Sequence, residues 1–245
     1  MNTTFVIPTY NEAENIPKLV DAVLGLPVAI NLLIVDDNSP DGSGDIAEQL
    51  KSNHPGRIQV MHRKGKLGLG SAYIQGFQQA IKDGADFIGQ MDADFSHPID
   101  KIPVLMQTVE CCDFVIGSRY VHGGKLDENW PFWRKWLSGF GNFYARTILG
   151  MKIRDVTGGF RLWKKETLST MPLERVKSNG YIFQVEMSYV ATLLGFTCQE
   201  TPIYFADRRW GQSKMSLRIQ LEAAYRTWVL LGLYTDLKNQ RSYNS

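Results

Sequence analysis

Apolar and polar positions alternate regularly through the first half of the chain. This pattern predicts strands at 3–7, 30–35, 57–62, 86–91 and 112–117, and helices at 11–26, 41–50, 70–83 and 99–110. Because helices of this length separate the strands, we expect βαβ units and a mostly parallel sheet. Asp41 is predicted to cap the second of these helices, since an aspartate at that place can accept a backbone N–H.

The second half of the chain is less regular. Its pattern predicts helices at 132–149, 166–171, 183–194 and 217–233, and one strand at 197–205. We interpret 123–131, 155–161 and 207–214 as loops, of which the last is basic. We expect one α/β domain over 1–215 and an amphipathic helix and tail over 216–245.

Composition and charge exclude several classes of protein. The net charge of +2 over 245 residues argues against a dedicated nucleic-acid binder. The three cysteines form no CxxC pair and no HExxH occurs, so we expect reduced thiols, a cytoplasmic protein and no zinc site. The first residues do not resemble a signal peptide, and no apolar run reaches the ~18 residues of a membrane span.

Polar residues follow four of the predicted strands at the point where each strand ends. They lie at 8–12, 36–42, 92–94 and 118–120. Because ligands bind beyond the carboxyl ends of parallel strands, we expect the functional site at this edge. Asp92 and Asp94 are close enough to repel each other without a cation, and their oxygen atoms suit Mg²⁺ or Mn²⁺. The alternative for this triplet is a turn and helix cap before Pro98.

Six segments in fixed order carry a resemblance to a known family. They are FVIPTYNEAENI, LLIVDDNSPDGS, GLGSAYIQGF, MDADFSHP, VIGSRY and VTGGFRLW. Together they resemble the family 2 glycosyltransferases with a GT-A-type α/β fold. More narrowly, they are similar to dolichol-phosphate or polyprenyl-phosphate mannosyltransferases of the type without transmembrane helices. The resemblance runs from Phe5 to Lys214 and implies inverting, metal-dependent transfer of a hexose, mannose from GDP-mannose, onto a dolichyl or polyprenyl phosphate.

The resemblance also implies which residues bind the nucleotide-sugar donor. They are Pro8, Tyr10, Glu12, Val35, Asp37, Asp92, Ala93, Asp94, Arg208 and Lys214. Arg208 and Lys214 belong to a loop that is expected to close over the donor phosphates. Asp94 matches the metal ligand of the family, and Asp92 and Ser96 are expected to join it around Mg²⁺ or Mn²⁺. The metal would neutralise the charge that develops on the departing nucleoside diphosphate.

A phosphate acceptor places a different demand on the protein than a hydroxyl acceptor does. Its second pKa is about 6, so it is already largely anionic at pH 7 and needs cations rather than a general base. The resemblance assigns the acceptor phosphate to Arg119, Arg134 and Ser138, and catalysis to Arg119 with Asp94. Ser138 lies one helical turn after Arg134, on the same predicted face. We expect one in-line displacement that converts an α-linked donor into a β-linked product.

A lipid acceptor also requires contact with a membrane. The segment from Trp130 to Trp136 combines three tryptophans with basic residues, which suits a membrane surface. In the last predicted helix, an apolar stripe includes Leu217, Leu221 and Trp228, and it either lies in the membrane interface or packs on the domain. We therefore expect a peripheral protein on the cytoplasmic face, with or without a membrane-anchoring partner protein.

Two alternative functions stay open at this point. The first is a family 2 transferase with another donor, such as UDP-glucose or UDP-N-acetylglucosamine, or with a non-lipid acceptor. The second is an inactive module that binds a nucleotide sugar, which the presence of Asp92, Asp94, Arg208 and Lys214 disfavours. A dinucleotide-dependent oxidoreductase is excluded, because no GxGxxG follows the first strand.

Overall fold

The computed structural model describes residues 2–207 and 217–238, and the side chains of 217–221 are not described. The strands in this part of the chain are β1 (Thr3–Thr9), β2 (Asn31–Asp36), β3 (Ile58–His62), β4 (Phe87–Gln90), β5 (Phe114–Ser118), β6 (Lys125–Leu126), β7 (Arg161–Lys164), β8 (Cys198–Pro202) and β9 (Tyr204–Phe205). The α-helices are α1 (Ile16–Leu24), α2 (Ser43–Asn53), α3 (Leu69–Lys82), α4 (Ile102–Val109), α5 (Phe132–Ile148), α6 (Lys165–Thr170), α7 (Tyr181–Leu193) and α8 (Leu217–Leu233). Short 3₁₀ turns occupy Ile99–Lys101 and Leu173–Arg175.

Seven of the described strands form one sheet in the order β3-β2-β1-β4-β7-β5-β8, and β6 pairs with β9 beside it. All pairs in the large sheet are parallel except those that β7 makes with β4 and β5. The predicted mostly parallel sheet is therefore confirmed. The sequence did not predict β7, since a run of only four residues after a Gly-Gly pair shows no period of its own.

Two apolar cores cover the two faces of this sheet. Successive residues of a strand point to opposite faces, so Val6 contributes to one core while Phe5 and Ile7 contribute to the other. Helices α3, α5, α7 and α8 supply side chains to the core of Val6, and α1, α2 and α4 supply the core of Phe5. The result is a three-layer α/β domain whose strand ends remain open to the functional site.

Two predicted helix starts are wrong in a way that matters for the site. The first helix begins at Ile16 rather than residue 11, because the backbone N–H groups of Asn11 and Glu12 donate to Ser39 in the loop after β2 and to Ser43 at the start of α2. The second helix begins at Ser43 after Gly42, so Asp41 is not its N-cap residue. Asp41 still accepts the N–H of Ser43, and it also accepts the N–H of Ala13. It therefore joins two loops at the site edge.

The last helix packs on the domain in part. Within the stripe predicted for it, Leu231 is partly buried against the core of Val6, whereas Tyr225 and Trp228 are exposed. A place for the exposed part in a membrane interface stays a prediction. None of the helices in the described ranges combines the length and apolar character that crossing a membrane requires.

Candidate active site

A cleft of about 220 Å³ opens at the carboxyl ends of β1, β2 and β4. Seven residues of the predicted donor site line it: Pro8, Tyr10, Glu12, Asp37, Asp92, Ala93 and Asp94. Val35 lies in β2, where its side chain is buried in the core, and it does not line the cleft. Arg208 and Lys214 lie outside the described residues. Seven of the ten donor residues that the resemblance implies therefore meet at the strand ends.

The loop after β4 fixes the two aspartates by folding back on itself. Asp92 accepts a hydrogen bond from the Tyr73 hydroxyl (3.0 Å), and its N–H donates to Nδ1 of His97 (3.2 Å). Oδ1 of Asp94 accepts from both the N–H and the hydroxyl of Ser96, at 3.0 and 2.6 Å. Burial, and then the charge of Asp92, raise the pKa of Tyr73, so its hydroxyl remains a donor at neutral pH.

The chemistry of this loop fits a hard divalent cation. Asp92 and Asp94 line the same cleft and present carboxylate oxygens, the atoms that Mg²⁺ and Mn²⁺ prefer. No group of three His, Cys, Asp or Glu side chains in 2–207 and 217–238 is placed to hold a metal by itself. Such a metal would therefore take its remaining ligands from the donor phosphates and from water. Ser96 is buried outside the cleft lining and bonds to Asp94, while its role as a ligand stays a prediction.

A basic segment after β3 completes the cleft, and the sequence interpretation missed it. Arg63 is buried and pairs with Oδ1 of Asp37 at 2.5 Å, while Oδ2 of Asp37 accepts the N–H of Leu67 at 3.2 Å. Nζ of Lys66 lies 3.9 Å from the centre of the Tyr10 ring, at the wall of the cleft. The same strand-end rule finds Arg63 and Lys66 once it is applied to β3.

Arg119 follows β5 and is held by a buried ion pair. Its Nε and Nη2 donate to the two oxygens of Asp155 at 2.8 and 2.7 Å, and Nη2 also donates to Thr157 at 2.8 Å. Burial works to lower the pKa of Arg119, but the charge of Asp155 outweighs it and raises that pKa. Arg119 is therefore a permanent cation with a fixed orientation.

The other two predicted acceptor residues lie on α5, close to Arg119. Ser138 shares a hydrogen bond of 2.7 Å with the hydroxyl of Tyr120, the residue after Arg119. The guanidinium of Arg134 lies 3.6 Å from the centre of the Trp130 ring and pairs with Asp207 at 3.2 Å. Ser138 and Arg134 therefore approach the Arg119 region through neighbours rather than through direct contact.

Phe205 connects the donor cleft with this group of cations. Its ring centre is 5.1 Å from the guanidinium of Arg119 and 5.9 Å from the ring of Trp130. On its other side it lies 5.6 Å from the ring of His97, which bonds to Asp92. Phe205 was not singled out by the sequence, because one aromatic residue at a strand end resembles any core residue. Phe205 and His97 thus form a chain of contacts from the region of Arg119 to the loop of Asp92.

An exposed apolar surface lies beside the predicted acceptor residues on α5. We call it the aromatic platform, and it consists of Phe132, Trp133, Trp136, Phe140 and Phe143 of α5 with Tyr225 and Trp228 of α8. The two helices are joined where Nε1 of Trp228 donates to the hydroxyl of Tyr144 at 2.8 Å. Trp130 does not belong to the exposed cluster predicted for 130–136, because it is buried beneath Arg134. Large exposed apolar surfaces of this kind mark interaction sites.

Comparison with known proteins identifies the family. The model of glycosyl transferase family 2 matches residues 4–171, and this chain belongs to that family. The polyprenol monophosphomannose synthase of Mycolicibacterium smegmatis is 42% identical over 233 residues, which cover 94% of this chain and 88% of that protein. The undecaprenyl-phosphate mannosyltransferase of Micrococcus luteus is 40% identical over 240 residues, covering 97% and 98%. The protein is therefore a glycosyltransferase, as the sequence predicted.

Solved structures with lower identity confirm the fold. Glucosyl-3-phosphoglycerate synthase from Mycobacterium tuberculosis, solved with Mn²⁺, UDP-glucose and phosphoglyceric acid, has a TM-score of 0.62 at 15% identity, covering 95% of this chain and 79% of that one. S. aureus TarS, solved with UDP-GlcNAc, has a TM-score of 0.62 at 16% identity, covering 94% and 66%. At this identity the likeness shows the fold alone, and the predicted GT-A-type fold is confirmed.

Proposed function

We propose that this enzyme transfers mannose from GDP-mannose to the phosphate of a polyprenyl or dolichyl lipid, with inversion at the anomeric carbon. The observation that carries the proposal is the pairing of two separate charged sites. Carboxylates line the donor cleft, and the buried, fixed guanidinium of Arg119 lies against the ring of Phe205. The names of two relatives, at 40% identity or more over nearly the whole chain, support mannose and a polyprenyl phosphate.

The donor would lie in the cleft with its diphosphate towards the loop after β4. Asp92 and Asp94 would hold Mg²⁺ or Mn²⁺, with Ser96 as a further ligand or as the support of Asp94. The metal supplies a positive charge that stabilises the leaving diphosphate. Pro8, Tyr10, Glu12, Val35, Asp37 and Ala93 are proposed to bind the nucleotide sugar, and Arg208 and Lys214 are proposed to close over its phosphates.

The acceptor phosphate would bind on the other side of Phe205, at Arg119, Arg134 and Ser138. One of its oxygens attacks the anomeric carbon, and the bond from that carbon to the diphosphate breaks on the opposite face. The nucleoside diphosphate leaves with the electron pair of that bond. Because the attacking oxygen is already anionic, no residue has to accept a proton. The arginine residues orient the phosphate, and this orientation is where the protein contributes most to the rate.

The aromatic platform is proposed to place the enzyme on a membrane surface. Tryptophan and phenylalanine side chains are favourable at the boundary between headgroups and acyl chains. The platform shares α5 with Arg134 and Ser138, so a lipid phosphate at the membrane surface would lie close to the acceptor site. We propose a peripheral location on the cytoplasmic face of a membrane. The platform holds the enzyme there either alone or together with a membrane-anchoring partner protein.

One assay tests the proposal directly. Purified protein is incubated with polyprenyl phosphate and labelled GDP-mannose, UDP-glucose or UDP-N-acetylglucosamine, with and without Mn²⁺. We expect transfer from GDP-mannose, dependence on the metal, and a β-linked product by NMR. Asp94→Ala should abolish transfer, whereas Asp100→Ala, an exposed aspartate on the following turn, should not. Transfer only from a UDP-sugar would show that GDP-mannose is not the donor. An α-linked product would refute inversion.

A further inference from the structure

We propose that Asp155 is a positioning residue for the acceptor phosphate, which it serves by fixing the guanidinium of Arg119. This inference rests on the proposed function and assigns a role to a residue that contacts neither substrate. Asp155 is fully buried, and its two oxygens accept three hydrogen bonds from Arg119, including one from the backbone N–H at 2.9 Å. One carboxylate therefore fixes both the backbone and the side chain of Arg119.

Asp155 bonds to only one edge of the Arg119 guanidinium and leaves another edge for a ligand. Asp155 occupies the edge formed by Nε and Nη2, and Thr157 accepts a further hydrogen bond from Nη2. Among the described residues, no hydrogen bond reaches Nη1 of Arg119. The bidentate pair fixes the plane of the guanidinium, so Nη1 keeps one direction and can donate to an incoming phosphate oxygen. Without Asp155, the same side chain would have to be ordered at each binding event.

The segment that carries Asp155 is itself held from two sides. Glu200 on β8 accepts the backbone N–H groups of Arg154 and Asp155, each at 2.8 Å. Asn142 on α5 accepts the N–H of Val156 at 2.9 Å and donates to the carbonyl of Arg154. Strand β8 pairs with β5, which leads to Arg119, and α5 carries the other two proposed acceptor residues. Asp155 thus lies where the two elements of the acceptor site are joined.

Two buried arginines, Arg119 and to a smaller extent Arg161, keep Asp155 ionised. Burial works to raise the pKa of Asp155, but Arg119 first and then Arg161 outweigh burial and lower that pKa. Arg161 is fully buried and donates to the carbonyls of Gly158 and Val156, so it is anchored to the same segment. The Asp155 carboxylate is therefore a fixed anion at every pH at which the acceptor phosphate is itself largely anionic.

Three variants in the full chain test this role against a merely structural one. Thr157→Val removes one acceptor of Arg119 but keeps the shape of the side chain, and Thr157→Ser restores the hydroxyl. Asp155→Asn removes the charge. Asp236→Asn is the matched control, because Asp236 makes an exposed bidentate pair with Arg175 far along the chain, on the segment after α8. The KM values for polyprenyl phosphate and for the nucleotide sugar are measured separately, with thermal unfolding to confirm folding.

We expect Asp155→Asn to raise the KM for the acceptor about tenfold or more, since a hydrogen-bonded charge is lost. Thr157→Val should raise it about threefold, Thr157→Ser should reverse most of that rise, and Asp236→Asn should leave it unchanged. The KM for the donor should stay within about twofold in all variants. If Asp155→Asn does not fold, Thr157→Val and Thr157→Ser test the same step, because the Thr157 hydroxyl bonds to both Asp155 and Nη2 of Arg119. An acceptor KM that is the same in these two variants and in the wild type would then overturn the inference.

Two results would overturn the inference while leaving the proposed function intact. One is an unchanged acceptor KM in folded variants that still transfer sugar. The other is an equal rise in both KM values, which indicates a general structural effect. A wild-type protein that transfers no sugar to polyprenyl phosphate would instead refute the proposed function, and the inference would fall with it.

Discussion

The aromatic platform leads to a prediction whose size follows from its exposed area. Trp133 is 65% exposed and Trp136 is 59% exposed. An exposed tryptophan offers up to about 250 Å², so each of these two leaves roughly 150 Å² in contact with water. At about 25 cal/mol per Å², full burial of that area is worth about 4 kcal/mol, and burial of half of it at an interface about 2 kcal/mol. The double change Trp133→Ser with Trp136→Ser should therefore weaken membrane binding by about 4 kcal/mol, or roughly 1000-fold.

Sedimentation with vesicles of phosphatidylcholine and phosphatidylglycerol measures this binding directly. Val104→Ser is the control, because Val104 is an exposed apolar residue on α4, which packs on the other face of the sheet. It should bind the vesicles as the wild type does. Thermal unfolding should be unchanged in both variants, since none of the three side chains is buried. Wild-type binding by the double variant would refute the assignment of the platform to a membrane.

Two further predictions concern stability. Gly76→Ala should destabilise the protein by about 1–3 kcal/mol in urea unfolding, because its Cβ would overlap the buried Val6 side chain, whereas Gly141→Ala has open space around it and should not. Asp155 should contribute to acid sensitivity, because Arg119 holds its folded pKa below the ordinary value near ~3.9. The stability that this lowered pKa contributes is present above the pKa of Asp155 in the unfolded chain, and it is lost as the pH falls through the pKa in the folded protein. In Asp155→Asn, the free energy of unfolding should therefore depend less steeply on pH below about 4. Parallel curves for wild type and variant would contradict this.

The donor cleft could be predicted from sequence because its residues follow strands. Strand position fixes where a residue lies in a parallel sheet, so the segments after β1 and β4 had to meet at one edge. Asp92 and Asp94 were found in this way, together with Tyr10 and Glu12. The segment after β3 obeys the same rule, but the pairing of its Arg63 with Asp37 becomes visible only in the folded chain.

The surroundings of the proposed acceptor site could not be predicted to the same depth. Arg119 pairs with Asp155, which lies 36 positions away along the chain, across a helix and a loop. No local period links two such residues, and Asp155 alone resembles an ordinary loop aspartate. The strand that follows it, β7, enters the sheet antiparallel and was itself not predicted. The burial of Trp130 under Arg134 has the same origin, since only tertiary packing separates it from its exposed neighbours.

The pairing of Arg119 with Asp155 also solves an electrostatic problem that the proposed reaction creates. The donor cleft contains Asp92 and Asp94, and a mobile arginine nearby would be attracted to these carboxylates, most strongly where water is excluded. Phe205 and His97 lie between the two groups, and Asp155 gives Arg119 a carboxylate of its own. In the proposed reaction, Arg119 is thereby kept for the acceptor phosphate, and Asp92 and Asp94 are kept for the metal and the donor. Two anionic substrates can then approach each other, because each meets its own set of compensating charges before the glycosidic bond is exchanged.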